Sequence, residues 1–177
     1  MPQWVALKDL EMVSSSYDST LKGGSSCCVS VDSTMNGYSV EDLITAASAN
    51  LGLGCAVVTL SFAELQAGDV VVDLGSGAGI DCFITGNRVG PTGSVIGVDM
   101  TPSMVYEARK NAKENNHGNV TFRLGEIEHL PVGDNTVDVV ISNCVINLSP
   151  SKGQVFREIY RVLKPGGRLA ICDVVMW

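Results

Sequence analysis

Hydrophobic and polar positions along the chain switch repeatedly between a strand period and a helix period. Val70-Val-Val-Asp-Leu74 is a β-branched run carrying one acid, the composition of a strand buried on both faces of a parallel sheet. Gly75, Gly77 and Gly79 follow it and predict a tight turn in which backbone approaches a ligand closely. Ile80, Phe83 and Ile84 recur at helical spacing, and Ser94-Val-Ile-Gly-Val98 is a second strand ending at Asp99. Thr101 and Pro102 then open a helix, with Met104, Val105, Ala108 and Ala112 on its buried face. Residues 119–124 and 137–142 predict the third and fourth strands, with a loop or short helix over 125–131 between them. Pro150 is expected to open a helix with the stripe Val155, Ile159, Val162 and Leu163. Lys164-Pro-Gly-Gly167 is expected to stop it, and residues 168–175 form the fifth strand. Upstream, the pattern predicts helices over 1–13, 39–49 and 56–66. Strands alternating with helices specify an α/β fold with a doubly wound parallel sheet. Ligands of such sheets bind beyond the C-terminal strand ends, which places Asp73–Gly79, Asp99, Glu126 and Asn143 on one rim.

Length and composition narrow the reading. The 177 residues suit one domain. Residues 1–36, rich in Ser, Gly and Thr from residue 14 on, are expected to form an arm carrying the vicinal pair Cys27-Cys28. Residues 37–177 are expected to form the domain proper. No apolar run reaches the length of a bilayer span, and the N-terminus lacks a basic region followed by an apolar core. The expectation is a cytoplasmic protein with reduced thiols. A net charge of −7 argues against a nucleic-acid partner, whose binding rests on clustered Lys and Arg.

Six cysteines stand at 27, 28, 55, 82, 144 and 172, with no C-x-x-C pair. That spacing argues against a zinc ribbon or a thioredoxin-like site and leaves core packing or a soft-metal or metalloid site. Cys82, inside a helix, and Cys172, inside a strand, read as core. Cys28, Cys55 and Cys144 fall in loops that reach the rim. Neither His117 nor His129 stands out as a general base.

The glycines read G-x-G-x-G with Asp73 just before them, not the G-x-G-x-x-G of a dinucleotide site. A ligand without a pyrophosphate is therefore favoured. Asp99 follows Gly79 by 20 residues, the spacing of a carboxylate that grips ribose hydroxyls. Residues 70–100 resemble motifs I and II of class I S-adenosylmethionine (SAM) methyltransferases, a Rossmann-like family. The resemblance implies that Asp73, Gly75, Ser76, Gly77 and Gly79 surround the methionine end of SAM, and that Asp99, with Met100 beside it, holds the ribose. Asn143-Cys144 stands where amino-methylating relatives carry Asn-Pro-Pro-aromatic, so that activity loses support.

Soft thiolates select thiophilic centres. Trivalent arsenic keeps a lone pair when bound by three sulfurs. The chain is similar to arsenite methyltransferases over SSCC (25–28), ANLGLGC (49–55), VVDLGSGAGIDCF (71–83), NVTFRLGEIEHLPV (119–132), DVVISNCVINLSPSK (138–152) and RVLKPGGRLAICDVV (161–175). That resemblance implies that Cys55 and Cys144 bind the arsenical and that Cys28 or Cys27 assists. It implies that Glu126 and Ile127 contact the adenine edge, with Asn143 also at the cofactor. The implied substrate is arsenite or its glutathione conjugate, with glutathione or thioredoxin as reductant and detoxification as the role. The family's last two strands would follow residue 177, so five strands are expected, with the fifth an exposed edge. The competing expectations are methylation of another small nucleophile, a SAM- or metalloid-binding protein without turnover, and a nicotinamide enzyme.

Overall fold

The computed structural model describes residues 58–173, together with Met12 and Ser15. Within that span the order is α1 (Val58–Phe62), β1 (Val70–Leu74), α2 (Ile80–Val89), β2 (Ser94–Asp99) and α3 (Pro102–Glu114). It continues with β3 (Val120–Leu124), β4 (Val137–Asn143), a 3-10 turn (Ile146–Leu148), α4 (Lys152–Val162) and β5 (Leu163–Cys172). The five strands form one parallel sheet in the order β3-β2-β1-β4-β5. The chain reverses its direction of winding between β1 and β4, and the ends of those two strands make the crevice where such sheets bind ligands.

The strands alternate their side chains between two cores, as a period of two requires. Val71, Val95, Val139 and Ile141 pack under α1, α2 and α3 with Leu60, Phe83, Ile84 and Val105. Val72, Leu74, Val98 and Val140 face the other way, onto Val155, Ile159 and Val162 of α4 and onto Ile127, Leu130 and Val132 of the loop after β3. Helices on both faces give the doubly wound, Rossmann-like arrangement. The alternation also decides where Asp73 points. As an odd position of β1 it lies under α2.

Several boundaries differ from the sequence pattern, each for a local reason. The helix expected over 56–66 is described from Val58 and ends at Phe62, because Glu64 takes a positive φ of 45° and a side-chain-bearing residue there ends a right-handed helix. Pro150 does not open α4. Ser151 is the N-cap, and its carbonyl accepts from the N–H of Gln154 and Val155. The Lys164–Gly167 segment is absorbed into β5: Leu163 pairs with Val137, the register shifts, and regular pairing resumes at Arg168 opposite Val139. Among the described residues β5 has β4 as its only strand neighbour, and Leu169 and Ile171 are each 39% exposed. The helix expected over 39–49 and the arm lie outside the described residues, as does the helix over 1–13 apart from Met12.

The loop between β3 and β4 is tied to α4 by a cluster of bonds centred on Arg161. Arg161 donates to the carbonyls of Leu130 (3.1 Å) and Val132 (2.9 Å) and to the carboxylates of Glu158 (2.6 Å) and Asp134 (2.5 Å). Glu158 in turn accepts from the Leu130 N–H at 2.8 Å. The bond from Arg161 holds the Glu158 carboxyl below its ordinary range. Charge-assisted bonds of this kind contribute about 2 kcal/mol, so Arg161→Ala is expected to lower unfolding free energy by about that much in a urea titration at pH 7. A carboxylate depressed in the fold stabilises above its unfolded pKa of about 4.3 and loses that contribution as pH falls through the folded value. The gap between wild type and variant is therefore expected to close on acidification below about pH 4.

Candidate functional site

The glycine turn after β1 is pinned to β2. Gly75 and Ser76 donate their N–H groups to the Val98 carbonyl at 2.8 and 3.1 Å, and Gly79 donates to Ser76 at 2.9 Å. Gly75, Gly77 and Gly79 have φ of 69°, 52° and 100°, a region open to glycine and strained for other residues. The space differs at each. A Cβ on Gly75 would stand 2.6 Å from Val145, and one on Gly79 would stand 2.6 Å from Phe122, whereas one on Gly77 would meet nothing within 4 Å. The turn is therefore packed below and beside, and open at Gly77.

Asp99 caps β2 directly beneath that opening. Its carboxylate accepts from the Gly77 N–H at 2.9 Å and the Thr101 N–H at 2.8 Å. Thr101, expected to cap α3 with its hydroxyl, makes no side-chain cap bond; the hydroxyl bonds to Asp99 instead. Burial pushes the Asp99 carboxyl up, against those hydrogen bonds. Gly125 donates to the Asp99 carbonyl at 3.0 Å, which brings the loop after β3 alongside. On that loop Glu126 is exposed, with a side chain 3.7 Å from His129, whereas the Ile127 side chain belongs to the core beneath α4.

A second polar group sits where β1 and β4 part. Asp73 is buried and accepts from the Cys82 thiol at 3.2 Å. Burial, then the neighbouring charges of Asp81 and Asp99, push its carboxyl well up. Asn143 ends β4, donates to Asp81 at 2.6 Å and accepts from the Thr59 hydroxyl of α1. The next residue, Cys144, takes a φ of 51°, so the chain turns sharply and lays Val145 against Gly75. Its N–H donates to the Cys172 carbonyl at 2.8 Å. Cys144 and Cys172 are free thiols and partly exposed, whereas Cys82 is buried. Burial, then the Cys144 sulfur, raise the Cys172 thiol.

Residues 65–176 match a family of methyltransferase domains. The chain belongs to that family. The arsenite methyltransferase of Halobacterium salinarum is 48% identical over 184 residues, covering 93% of this chain and 47% of its own length. The arsenic(III) S-adenosylmethionine methyltransferase of Chlamydomonas reinhardtii superposes with a TM-score of 0.57 at 45% identity, over 60% of this chain and 39% of that one. A SAM-dependent methyltransferase from Aquifex aeolicus gives 0.63 at 26% identity, over 81% and 73%. This chain thus spans less than half the length of the arsenic enzymes it matches.

The methyltransferase domain takes SAM as its cofactor, and the residues present fit it. The Ser76 and Ser142 hydroxyls are buried in the crevice without a hydrogen-bond partner, Gly77 leaves open space, and Asp99 keeps acceptor capacity beyond its bonds to Gly77 and Thr101. Asp73, Gly75, Ser76, Gly77, Gly79, Asp99, Met100, Glu126, Ile127, Asn143 and Cys144 all fall at the C-terminal ends of the strands. Cys27, Cys28 and Cys55 lie outside the described residues. Cys82 is core, as its helical position predicts. Cys172 is not, because it is the last residue of an edge strand.

Three groups escaped the sequence pattern: Asp81, Thr59 and Ser142. Asp81 carries a signal, an acid two residues after the last glycine; the others carry none. An open groove of about 620 Å³ lined by Arg109, Lys113, His117 and Phe122 lies toward the opposite end of the sheet and contains none of the predicted site residues. Among the described residues no group of three or more Cys, His, Asp or Glu is placed to hold a metal ion, and no helix is long and apolar enough to cross a membrane.

Proposed function

We propose that the domain methylates trivalent arsenic held as a thiolate complex, with Cys144 as the thiol presented to the methyl donor. The observation that carries this reading is the exit of β4. A left-handed φ at Cys144 costs about 1–2 kcal/mol in a residue bearing a side chain. The strained turn carries a partly exposed thiol and lays the next residue, Val145, against Gly75. Strain of that kind is retained where it positions a functional group. The identity to arsenite methyltransferases supports the choice of substrate.

When bound, SAM supplies a methyl group on a positively charged sulfur. Asp73, Gly75, Ser76, Gly77 and Gly79 would line its methionine side, Asp99 would accept from the ribose hydroxyls, and Glu126 and Ile127 would border the adenine. Asn143 holds α1 against β4 through Thr59 and fixes Asp81. Cys55, four residues before Thr59 in the sequence, supplies a second thiol to the substrate. Cys28 or Cys27 supplies a further thiol from the arm. The chain has little proton transfer to perform, because arsenic bound to sulfur already exposes a lone pair. Its work is orientation. His117 stacks on Phe83 away from the crevice, and the His129 side chain is 74% exposed. The substrate is arsenite or its glutathione conjugate, glutathione or thioredoxin returns the thiols to the reduced state, and the role is cytoplasmic detoxification.

The test is incubation with SAM, arsenite and glutathione, followed by chromatography of arsenic species. Methylated arsenic is expected, falling at least about 100-fold in Cys144→Ser while SAM binding by calorimetry is unchanged. Product formation that survives Cys144→Ser would overturn the role of that thiol. SAM binding without any methylated arsenic would favour a domain that binds but does not turn over, or one that serves another small nucleophile.

A further inference from the structure

Cys172 was expected in the core and stands instead at the rim. It pairs with Asn143 across the sheet, so the two side chains project to the same face, the one where Asn143 meets Thr59 of α1. Cys144 is the next residue after Asn143, and its backbone N–H is bonded to the Cys172 carbonyl at 2.8 Å. Neighbouring strands lie about 4.8 Å apart, the left-handed φ of 51° at Cys144 breaks the strand alternation that would turn its side chain to the other face, and the Cys144 sulfur is close enough to raise the Cys172 thiol. Both are reduced and partly exposed. The third described cysteine, Cys82, is fully buried and donates to Asp73, so it is no competitor.

We propose that Cys144 and Cys172 form a two-thiol clamp for trivalent arsenicals that already carry one carbon substituent. The clamp rests on the reading that the domain acts on trivalent arsenic, and it assigns to Cys172 a ligand role beyond that reading. A monosubstituted arsenical has two exchangeable positions, and two thiols fill both. With a methylarsonous acid, CH3As(OH)2 and two thiols give CH3As(SR)2 and two waters. Two As–S bonds form, two As–O bonds break, each thiol proton leaves on a departing hydroxide, and arsenic stays trivalent. The clamp would therefore hold the once-methylated species beside the glycine turn and favour a second round of methylation over release.

Two backbone features preorganise the pair. The hydrogen bond from the Cys144 N–H to the Cys172 carbonyl fixes the strand ends relative to one another. The Asn147 N–H donates to the Asp173 carboxylate at 3.0 Å and ties the turn after Cys144 to the residue after Cys172. A preorganised pair gains the second As–S bond as an intramolecular event, which raises apparent affinity by on the order of 100-fold over one thiol.

The test uses the full chain with Cys27, Cys28 and Cys55 changed to serine, reduced, and titrated with phenylarsine oxide. C6H5AsO and two thiols give C6H5As(SR)2 and one water. Intact-mass and thiol counting are expected to show one arsenical bound and two thiols consumed, resistant to millimolar glutathione and reversed by a dithiol. Cys172→Ser, and Cys172→Ala as a second variant, are expected to weaken binding on the order of 100-fold and to let glutathione strip the arsenical. Circular dichroism of each variant checks that the fold is kept. Tight binding that survives loss of Cys172 but not of Cys144 would overturn the clamp and leave the arsenic reading standing. No binding by this chain, together with no methylated arsenic from the unsubstituted protein, would overturn both.

Discussion

Gly79→Ala is expected to destabilise the domain by about 2–5 kcal/mol and to abolish measurable SAM binding. Two costs combine. Gly79 sits at φ 100°, where a residue with a side chain pays roughly 1–2 kcal/mol. The added methyl would also stand 2.6 Å from Phe122 and 3.0 Å from Phe83, and overpacking of that kind costs about 1–3 kcal/mol. The two rings meet edge to face at 5.7 Å, and Phe83 is also stacked on His117. The glycine must therefore move, and with it Ser76 and Gly77. Gly68→Ala separates the effects. Gly68 has a similar φ of 93° but its nearest neighbour to an added Cβ is 3.7 Å away. That variant is expected to lose about 1–2 kcal/mol from strain alone and to bind SAM unchanged. Urea midpoints and calorimetry on both variants check the contrast. Equal SAM affinity in Gly79→Ala and wild type would mean that the turn does not define the cofactor site.

The elements were legible wherever one physical signal dominated. β1, β2 and β4 are β-branched runs with turn residues at their ends, and nothing in them competes with a strand. α4 shows an apolar stripe of Val155, Ile159 and Val162 that only a helix can align. Boundaries were less legible because they depend on contacts that the pattern does not carry. Lys164-Pro-Gly-Gly167 looks like a stop. It becomes part of β5 through ion pairs from Lys164 to Asp138 and from Arg168 to Asp69, and both acids belong to distant segments.

The site divided in the same way. Residues whose role follows from backbone freedom or from a strand end, such as Gly75, Gly77, Gly79 and Asp99, are visible in the spacing. Residues whose role follows from tertiary contact are not. Thr101 looks like a helix cap and serves Asp99. Thr59 belongs to a helix whose register on β4 is set by Asn143. Cys172 looks like any strand cysteine, and only the pairing of β5 with β4 shows that it ends beside Cys144. Arsenic chemistry came from resemblance, because no spacing rule for these six cysteines marks it.

Asp99→Ala is the second change expected to have a large effect, lowering SAM affinity on the order of 100-fold with the fold retained. The carboxylate does two things at once. It accepts the N–H groups of Gly77 and Thr101 at 2.9 and 2.8 Å, and it offers its remaining lone pairs to ribose hydroxyls. Hydrogen bonds to a charged group contribute about 1.5–3 kcal/mol each, and losing the pair to ribose corresponds to roughly 100-fold in affinity. Asp99→Asn is expected to be nearly as harmful, because the Gly77 and Thr101 N–H groups bond to different oxygens of the carboxylate, so an amide must turn its NH2 toward one of them. Acid should reproduce the effect in the wild type. Burial raises the Asp99 carboxyl, so on acidification it takes up a proton before an exposed aspartate would, and it then loses acceptor capacity. SAM affinity is therefore expected to begin falling at a pH above the ordinary aspartate range, and Asp99→Ala should remove that part of the pH dependence. Calorimetric titrations across pH 4–7 on wild type and variant decide it. A wild-type affinity flat over that range, with Asp99→Ala binding as tightly, would place the ribose elsewhere on the rim.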